Sequence, residues 1–378
     1  MPLRTAPLLA WRLLVHERGR LLASVGGITF AALLMTLQLS FRNALLDSSL
    51  ELLTRLDADI IVTHKEKKPF LRRKEMPRER VYQSLSVDGV ESAYPVWLAL
   101  LPWKNLEDGT QRPIRVTAFI PGDPVFLIDE VQRAAAKLRQ RGTGLIDRRS
   151  RSDYGSLALG PAQVGQHQIE LVGSFELGTD VEADGNLIVS DLTFQKIANK
   201  KLDMVEMAVL KLERNANPDT VLVALRAALP TDVVPMTKEQ LIARDLDYWG
   251  SRTPLSIMLL VGMALGFSVG VVICYQILYT DVIDHLKEFA TAKAMGYADS
   301  YIRGVVITEA LVLGLLGIGP SLLLGAGLQR LLGLLTGLPV RFSWGSALLV
   351  LLLSLGMCTL SGLIAMRKVQ ELDPAELV

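Results

Sequence analysis

The chain has 378 residues, of which half are hydrophobic and 21% charged, and its formal net charge is +1. This mixture is too apolar for an ordinary soluble domain and too charged for a bare membrane bundle, and so small a net charge excludes nucleic acid as a main partner. Cys274 and Cys358 both fall in apolar runs, so the polar part of the chain has to fold without a disulfide.

Residues 1–20 read as an interfacial N-terminal helix, because Leu8, Trp11, Leu14 and Val15 recur at helical spacing among arginines. A cytosolic extension of the first span fits the same residues. Residues 21–42 are long and apolar enough for transmembrane helix 1. Residues 43–252 then form a polar domain with mixed α/β signals. Asp59 to Thr63 reads as a buried strand, and Val90 to Trp103 with Pro113 to Ile120 as a hairpin around Glu107, Asp108 and Gly109. Between these lies the basic run Lys65, Lys67, Lys68, Arg72, Arg73, Lys74, Arg78 and Arg80, either a solvated loop or a contact for lipid phosphates or an acidic partner. Glycine-rich turns and short apolar segments predict a second, β-rich insertion near 123–190. Val205 to Leu212 reads as strand, Pro218 to Leu229 as helix and Asp232 to Pro235 as strand, a set that fits one α/β lobe. Lys238 to Trp249 continues as a helix toward the next span.

Transmembrane helix 2 is expected at residues 253–280. Its Gly262, Gly266 and Gly270 repeat every fourth residue and leave a smooth stripe for another helix; homodimer contact and packing within the chain both fit. Residues 281–303 form a cytosolic coupling segment, in which Leu286, Phe289, Ala290 and Ala294 share one face of a short helix and Gly296 suits its stop. Such a helix can dock in a partner's groove, although periodicity alone fits a loop lying on the membrane equally well. Transmembrane helix 3 is expected at 304–327 and helix 4 at 343–366, separated by a short periplasmic loop at 328–342 and followed by a cytosolic tail at 367–378. Glu309 lies about 9 Å of helix beyond Arg303, which keeps its carboxylate near interfacial water and favours a membrane-orienting role over proton transport. Basic residues before the first span and after the last place both termini in the cytoplasm. The predicted fold class is therefore membrane α-helical, four transmembrane helices, with a large mixed α/β extracytoplasmic domain inserted between helices 1 and 2.

The chain carries no G-x-x-x-x-G-K-[ST] phosphate loop, and His16-Glu17 lacks the second histidine of an H-E-x-x-H zinc motif. His64, His167 and His285 are far apart, and no nucleophile and base pair can be read. Neither catalysis nor a metal is therefore expected in this chain.

The phrase Glu288-Phe-Ala-Thr-Ala-Lys-Ala-Met-Gly-Tyr297 resembles the signature of the DevC family of ABC-exporter membrane subunits, within the wider group of macrolide-exporter, lipoprotein-releasing and FtsX-type proteins. Glu309-Ala310, Gly317 to Pro320, Gly27 to Ala31, Gln38 to Phe41 and Asp373-Pro374-Ala375 continue the similarity, with Ala292 in place of the usual leucine. The resemblance implies a non-catalytic permease in the bacterial inner membrane. It implies a homodimer with a separate ABC ATPase that binds ATP and Mg, a periplasmic membrane-fusion adaptor and an outer-membrane duct, and it implies export of a lipid-like substrate such as glycolipid. Leu286, Lys287, Glu288, Phe289, Ala290, Thr291, Lys293, Met295 and Gly296 are the expected ATPase-coupling residues, with Leu286, Phe289 and Ala290 as apolar anchors and Lys287, Glu288 and Lys293 as orienting charges. A transmembrane signalling protein that activates a cell-wall enzyme, or a lipoprotein-releasing permease, would share the same layout.

Overall fold

The structure, a computed structural model, describes residues 18–70, 72–336 and 343–370. The expected interfacial helix up to residue 17, residues 337–342 of the loop expected at 328–342 and the tail motif at Asp373 to Ala375 lie outside the described residues, whereas residues 328–336 are helix and not loop, because their apolar run continues without a breaker. The chain divides into two compact units, a membrane unit built from the long apolar helices and an inserted domain of residues 44–253.

The first helix, α1 (Arg18–Thr54), does not stop where its apolar run ends. Arg42 and Asp47 mark the loss of a membrane-like composition, but no helix breaker follows until the turn before Leu56, so helical hydrogen bonding continues into the inserted domain.

In that domain the elements are β1 (Ile60–His64), β2 (Met76–Pro77), α2 (Glu79–Ser84), β3 (Val90–Lys104), β4 (Gln111–Phe119), α3 (Asp129–Arg133), α4 (Ala135–Leu138), β5 (Thr143–Asp147), β6 (Gly160–Val164), β7 (His167–Phe175), β8 (Asn186–Ser190), α5 (Asp191–Ala198), β9 (Met204–Val205), β10 (Met207–Leu212), α6 (Pro218–Ala228), β11 (Val233–Thr237) and α7 (Lys238–Asp247). The strands β11, β1, β10 and the first half of β3 form an antiparallel sheet in that order, with Ile61 opposite Val209 and Met207 opposite Val96. With α2 and α6 as crossovers, β1-α2-β3-β10-α6-β11 is a split β-α-β unit of the ferredoxin-like kind. Both faces of this sheet are covered. Ile60, Val62, Ala208 and Leu210 enter one core with Val221, Leu222 and Leu225 of α6. Ile61, Met207 and Val209 enter a second core with Leu52 and Leu53 of α1 and Leu241 of α7. Burial on both sides explains the unbroken apolar runs of β1 and β10, where a half-exposed strand would alternate. The helix starts are set locally: Asn217 accepts the Asp219 N–H ahead of Pro218, and Thr237 and Gln240 make a reciprocal capping box.

The β-rich part differs from the expected insertion at 123–190. The second half of β3 pairs with β4, and the order continues through β8, β5, β7 and β6 until β6 returns to β3, with Trp103 opposite Val164. Six strands thus close into a ring that includes β4 and half of β3, so its boundary falls at Val96/Trp97 and not near residue 123. Two of its pairings, β4 with β8 and β5 with β7, are parallel and join distant segments, which a hairpin reading cannot anticipate. A buried polar set tightens the ring. Arg115 Nη2 donates to Asp180 Oδ1 at 2.8 Å, and Asp147 accepts from the N–H groups of Leu177 and Gly178 and from Asn186 Nδ2.

The basic run is not simply a solvated loop. Lys67 is 0% exposed and its Nζ lies 2.7 Å from Glu206 Oε1, while Arg78 stacks over the rings of Tyr82 and Trp97 and Arg80 pairs with Asp232.

After a π-helical turn at Tyr248–Arg252, the membrane unit resumes with α8 (Pro254–Asp284), α9 (Leu286–Ala294), α10 (Asp299–Thr336) and α11 (Trp344–Gln370). Together with α1, the helices α8, α10 and α11 are long and apolar enough to cross a membrane, four in all among the described residues. Their common core is Ile28, Ala31, Ala32 and Met35 of α1 with Cys274, Leu278, Leu313, Val350 and Met357.

Candidate functional site

The glycine stripe of α8 packs on α1 of the same chain. A Cβ built on Gly262 would lie 2.7 Å from the Gln38 side chain, and one on Gly266 would lie 3.3 Å from Met35 Cγ. At Gly270 it would be 3.0 Å from Ala31 Cβ and would collide with Met357 Sδ. On the other side of α1, the same test at Gly317 of α10 brings it 2.6 Å from Ile28. Close backbone approach is therefore used within the chain, and of the two sequence readings the structure places this stripe in intrachain packing. Polar side chains then join the helices. Thr29 Oγ1 donates to the Gly317 carbonyl at 3.0 Å, Gln329 Nε2 to Ser40 Oγ at 2.6 Å, Asn43 Nδ2 to Ser346 Oγ at 2.7 Å, and Ser361 Oγ to the Val271 carbonyl at 2.8 Å. Pro320 lies inside α10 without ending it, and Ser321 Oγ, which donates to the Ile318 carbonyl, and Thr29 concentrate hydrogen bonds around it. The motif residues Ile28, Thr29, Ala31 and Gln38 are thus the surfaces that meet Gly317, Gly270 and Gly262.

Glu309 is 2% exposed, enclosed among the helices and not at interfacial water. Distance along the helix axis was a poor guide here, because neighbouring helices flank α10 at that level: Ala310 and Leu313 belong to the buried core of the unit.

The coupling segment is a compact turn of structure at one end of α8. His285 Nδ1 lies 2.9 Å from the Asp281 carbonyl, and α9 begins one residue later. Gly296 adopts φ +90°, which ends α9 in the left-handed region that favours glycine. Phe289 is 9% exposed and packs with Val282 of α8, Ile302 and Val306 of α10 and Met366 of α11. It is therefore an inward fastener, not an apolar anchor offered to a partner. Periodicity found the face, but the spacing of Leu286, Phe289 and Ala290 is equally that of a helix clamped to its own bundle. Leu286 is half-buried, whereas Lys287, Glu288, Ala290, Thr291, Met295 and Gly296 are exposed, Met295 at 69%. Thr291 Oγ1 turns back to the Lys287 carbonyl at 2.8 Å. The side chain of Lys293 lies outside the described residues. Tyr297 and Tyr301, with ring centroids 4.9 Å apart, close the segment onto the start of α10. Sequence reasoning missed Val282, Ile302, Val306 and Met366, which carry no signal beyond being apolar in helices.

The exposed charges Lys287 and Glu288 are adjacent and opposite in sign, so this surface can orient a partner without a strong net field. Among the described residues no group of three or more His, Cys, Asp or Glu side chains could hold a metal ion.

No curated protein matches the chain. Among solved structures, the periplasmic region of MacB from Actinobacillus actinomycetemcomitans is similar at a TM-score of 0.36 and 7% identity, over 49% of this chain and 91% of that one. The extracellular domain of the noncanonic ABC-type transporter YknZ from Gram-positive bacteria gives 0.34 and 11%, over 47% and 99%. A domain of a putative permease protein from Porphyromonas gingivalis gives 0.31 and 18%, over 47% and 85%. The segment that contains the coupling helix and its packing partners, residues 260–374, matches the family described as FtsX-like permease C-terminal.

Proposed function

We propose that this protein is the membrane subunit of an ABC-type exporter of the DevC kind. It works as a homodimer in the bacterial inner membrane, with both termini in the cytoplasm. ATP and Mg are bound and hydrolysed on a separate ATPase, which docks on α9; this chain performs no catalysis. Motion of α9 passes through Phe289 to the ends of α8, α10 and α11 and is delivered by the membrane helices to the inserted domain. That domain faces the periplasm and engages a membrane-fusion adaptor, and through it an outer-membrane duct, to move a lipid-like substrate such as glycolipid.

The observation that carries this reading is the match over residues 260–374, which encloses a short helix fastened by Phe289 and exposing Lys287, Glu288, Ala290 and Met295. Purification from native membranes followed by mass spectrometry tests it. An ATPase and an adaptor are expected in the complex. A cell-wall hydrolase in place of the adaptor would make the protein a signalling subunit, and acylated proteins retained in the complex would make it a lipoprotein-releasing one.

A further inference from the structure

The helix α6 has almost no polar outer face, although a helix that covers a sheet from the water side ordinarily carries one. Val221, Leu222, Leu225 and the following Leu229 enter the core. On the opposite side Thr220, Val223, Ala224, Ala227 and Ala228 are exposed, Val223 at 65%, more than any other large hydrophobic side chain described in the inserted domain. Beside α6, the helix α2 exposes Tyr82 and Leu85. An apolar face of this breadth in water marks a contact surface.

The charges on α6 are Asp219 and Arg226, both exposed, and among the described residues neither forms an ion pair. Along the helix they are about 10 Å apart at about 1.5 Å of rise per residue, too far to pair with each other. Around the axis they nonetheless lie within about 20° at about 100° per residue, on one flank of the apolar face. Val223 stands between them, about 6 Å along the axis from Asp219 and about 4.5 Å from Arg226. A second α6 laid antiparallel across a twofold axis at Val223 therefore brings each Asp219 to within about 1.5 Å of the level of Arg226 on the other helix. Such an axis is perpendicular to the plane of the two helices and keeps their matching flanks on one side, where the opposite charges meet. A parallel pair would set like charge against like. Ala224 and Ala227 beside the seam let the helix axes approach to about 8 Å.

We propose that the α6 faces of two copies of this chain pack antiparallel about a twofold axis near Val223, with Asp219 of each copy pairing with Arg226 of the other. The inference rests on the homodimer proposed above and gives it a contact between inserted domains. A second copy is favoured over an adaptor because the charges of this face complement the face itself. One helix pair does not by itself supply the roughly 1,000 Å² of a free-standing interface. Each domain is joined covalently to a membrane unit, however, so in an assembled dimer the contact forms at high effective concentration.

The test is cross-linking of the full-length protein in nanodiscs by a short bis-maleimide, with the mass of the assembly read alongside by light scattering. In a Cys274→Ala/Cys358→Ala background, Val223→Cys is expected to give covalent dimers about tenfold faster than Gln166→Cys, an exposed position in the turn between β6 and β7. Asp219→Arg and Arg226→Asp, each added to Val223→Cys, should slow the reaction several-fold. Both swaps in one chain should restore it. Co-expressed with different tags, the two single-swap chains should cross-link preferentially as heterodimers, since each then meets its opposite charge. Unchanged melting temperatures verify the fold of the variants. A dimer in which Val223→Cys reacts no faster than Gln166→Cys overturns this contact and leaves the homodimer standing, whereas a monomer overturns both. Failure of the double swap and of the mixed pair to restore cross-linking overturns the proposal, as does cross-linking at Val223→Cys only to an added adaptor.

Discussion

At the residue scale, the glycines of the membrane helices divide by what a methyl group would meet. Gly270→Ala drives a Cβ into Met357 and Ala31 and should lower helix-bundle stability by about 1–3 kcal/mol. Gly319→Ala meets nothing within 4 Å and should be neutral or stabilise by up to about 1 kcal/mol. Thermal melting of the two variants in detergent separates these outcomes. In the inserted domain, Lys67→Met strands Glu206 as an unpaired buried charge and should cost about 3–5 kcal/mol. Replacing Glu206 by Leu as well should recover much of that loss, read by denaturant unfolding. Tyr154 supplies a pH signature. Its hydroxyl donates to the Pro113 carbonyl at 2.6 Å, and burial pushes its pKa up to about 12. The unfolded phenol titrates near 10, so the folded state holds the proton more tightly. Its contribution is complete below pH 10 and is lost as the pH rises from about 10 to about 12, a change of roughly 2–3 kcal/mol. Tyr154→Phe should remove that slope.

Among the elements, α9 shows what a sequence can and cannot tell. Its existence, its apolar face and its glycine stop were readable, because Gly296 and the spacing of Leu286 and Phe289 are local signals. Whether the face turned inward or outward was not, since that depends on Val282, Ile302, Val306 and Met366 arriving from three other helices. The same holds for the glycine stripe: its spacing declared a close contact, and only the structure supplied α1 as its occupant. Strands with local turns were readable too. The hairpin of β3 and β4 turns where expected, with Gly109 at φ +75° and Asp108 accepting the Thr110 N–H at 2.8 Å. The parallel pairs of the ring escaped notice because their partners are distant along the chain. For α9, Phe289→Asp should detach the helix and uncouple ATP hydrolysis from export while the protein still inserts in the membrane. Met295→Asp and Lys287→Glu should instead lower co-purification of the ATPase about tenfold and leave melting unchanged. Unaltered ATPase recovery with either outward variant would remove α9 as the docking element.

On the scale of the whole molecule, the long strand β3 is a member of both sheets of the inserted domain. Val90 to Val96 pair with β10, and Trp97 to Lys104 pair with β4. A single backbone thus ends one ladder where it starts the next, without an intervening linker. The ring therefore cannot be excised at residues 123–190, because such a cut takes β5 to β8 and strips β4 of its partner β8 and the end of β3 of its partner β6. Mechanical loading makes the point measurable. Stretched from Ala44 and Thr253 in an optical trap, a protein with a separable module would yield in two rips, whereas a shared girder predicts one, with the contour length of both sheets released together.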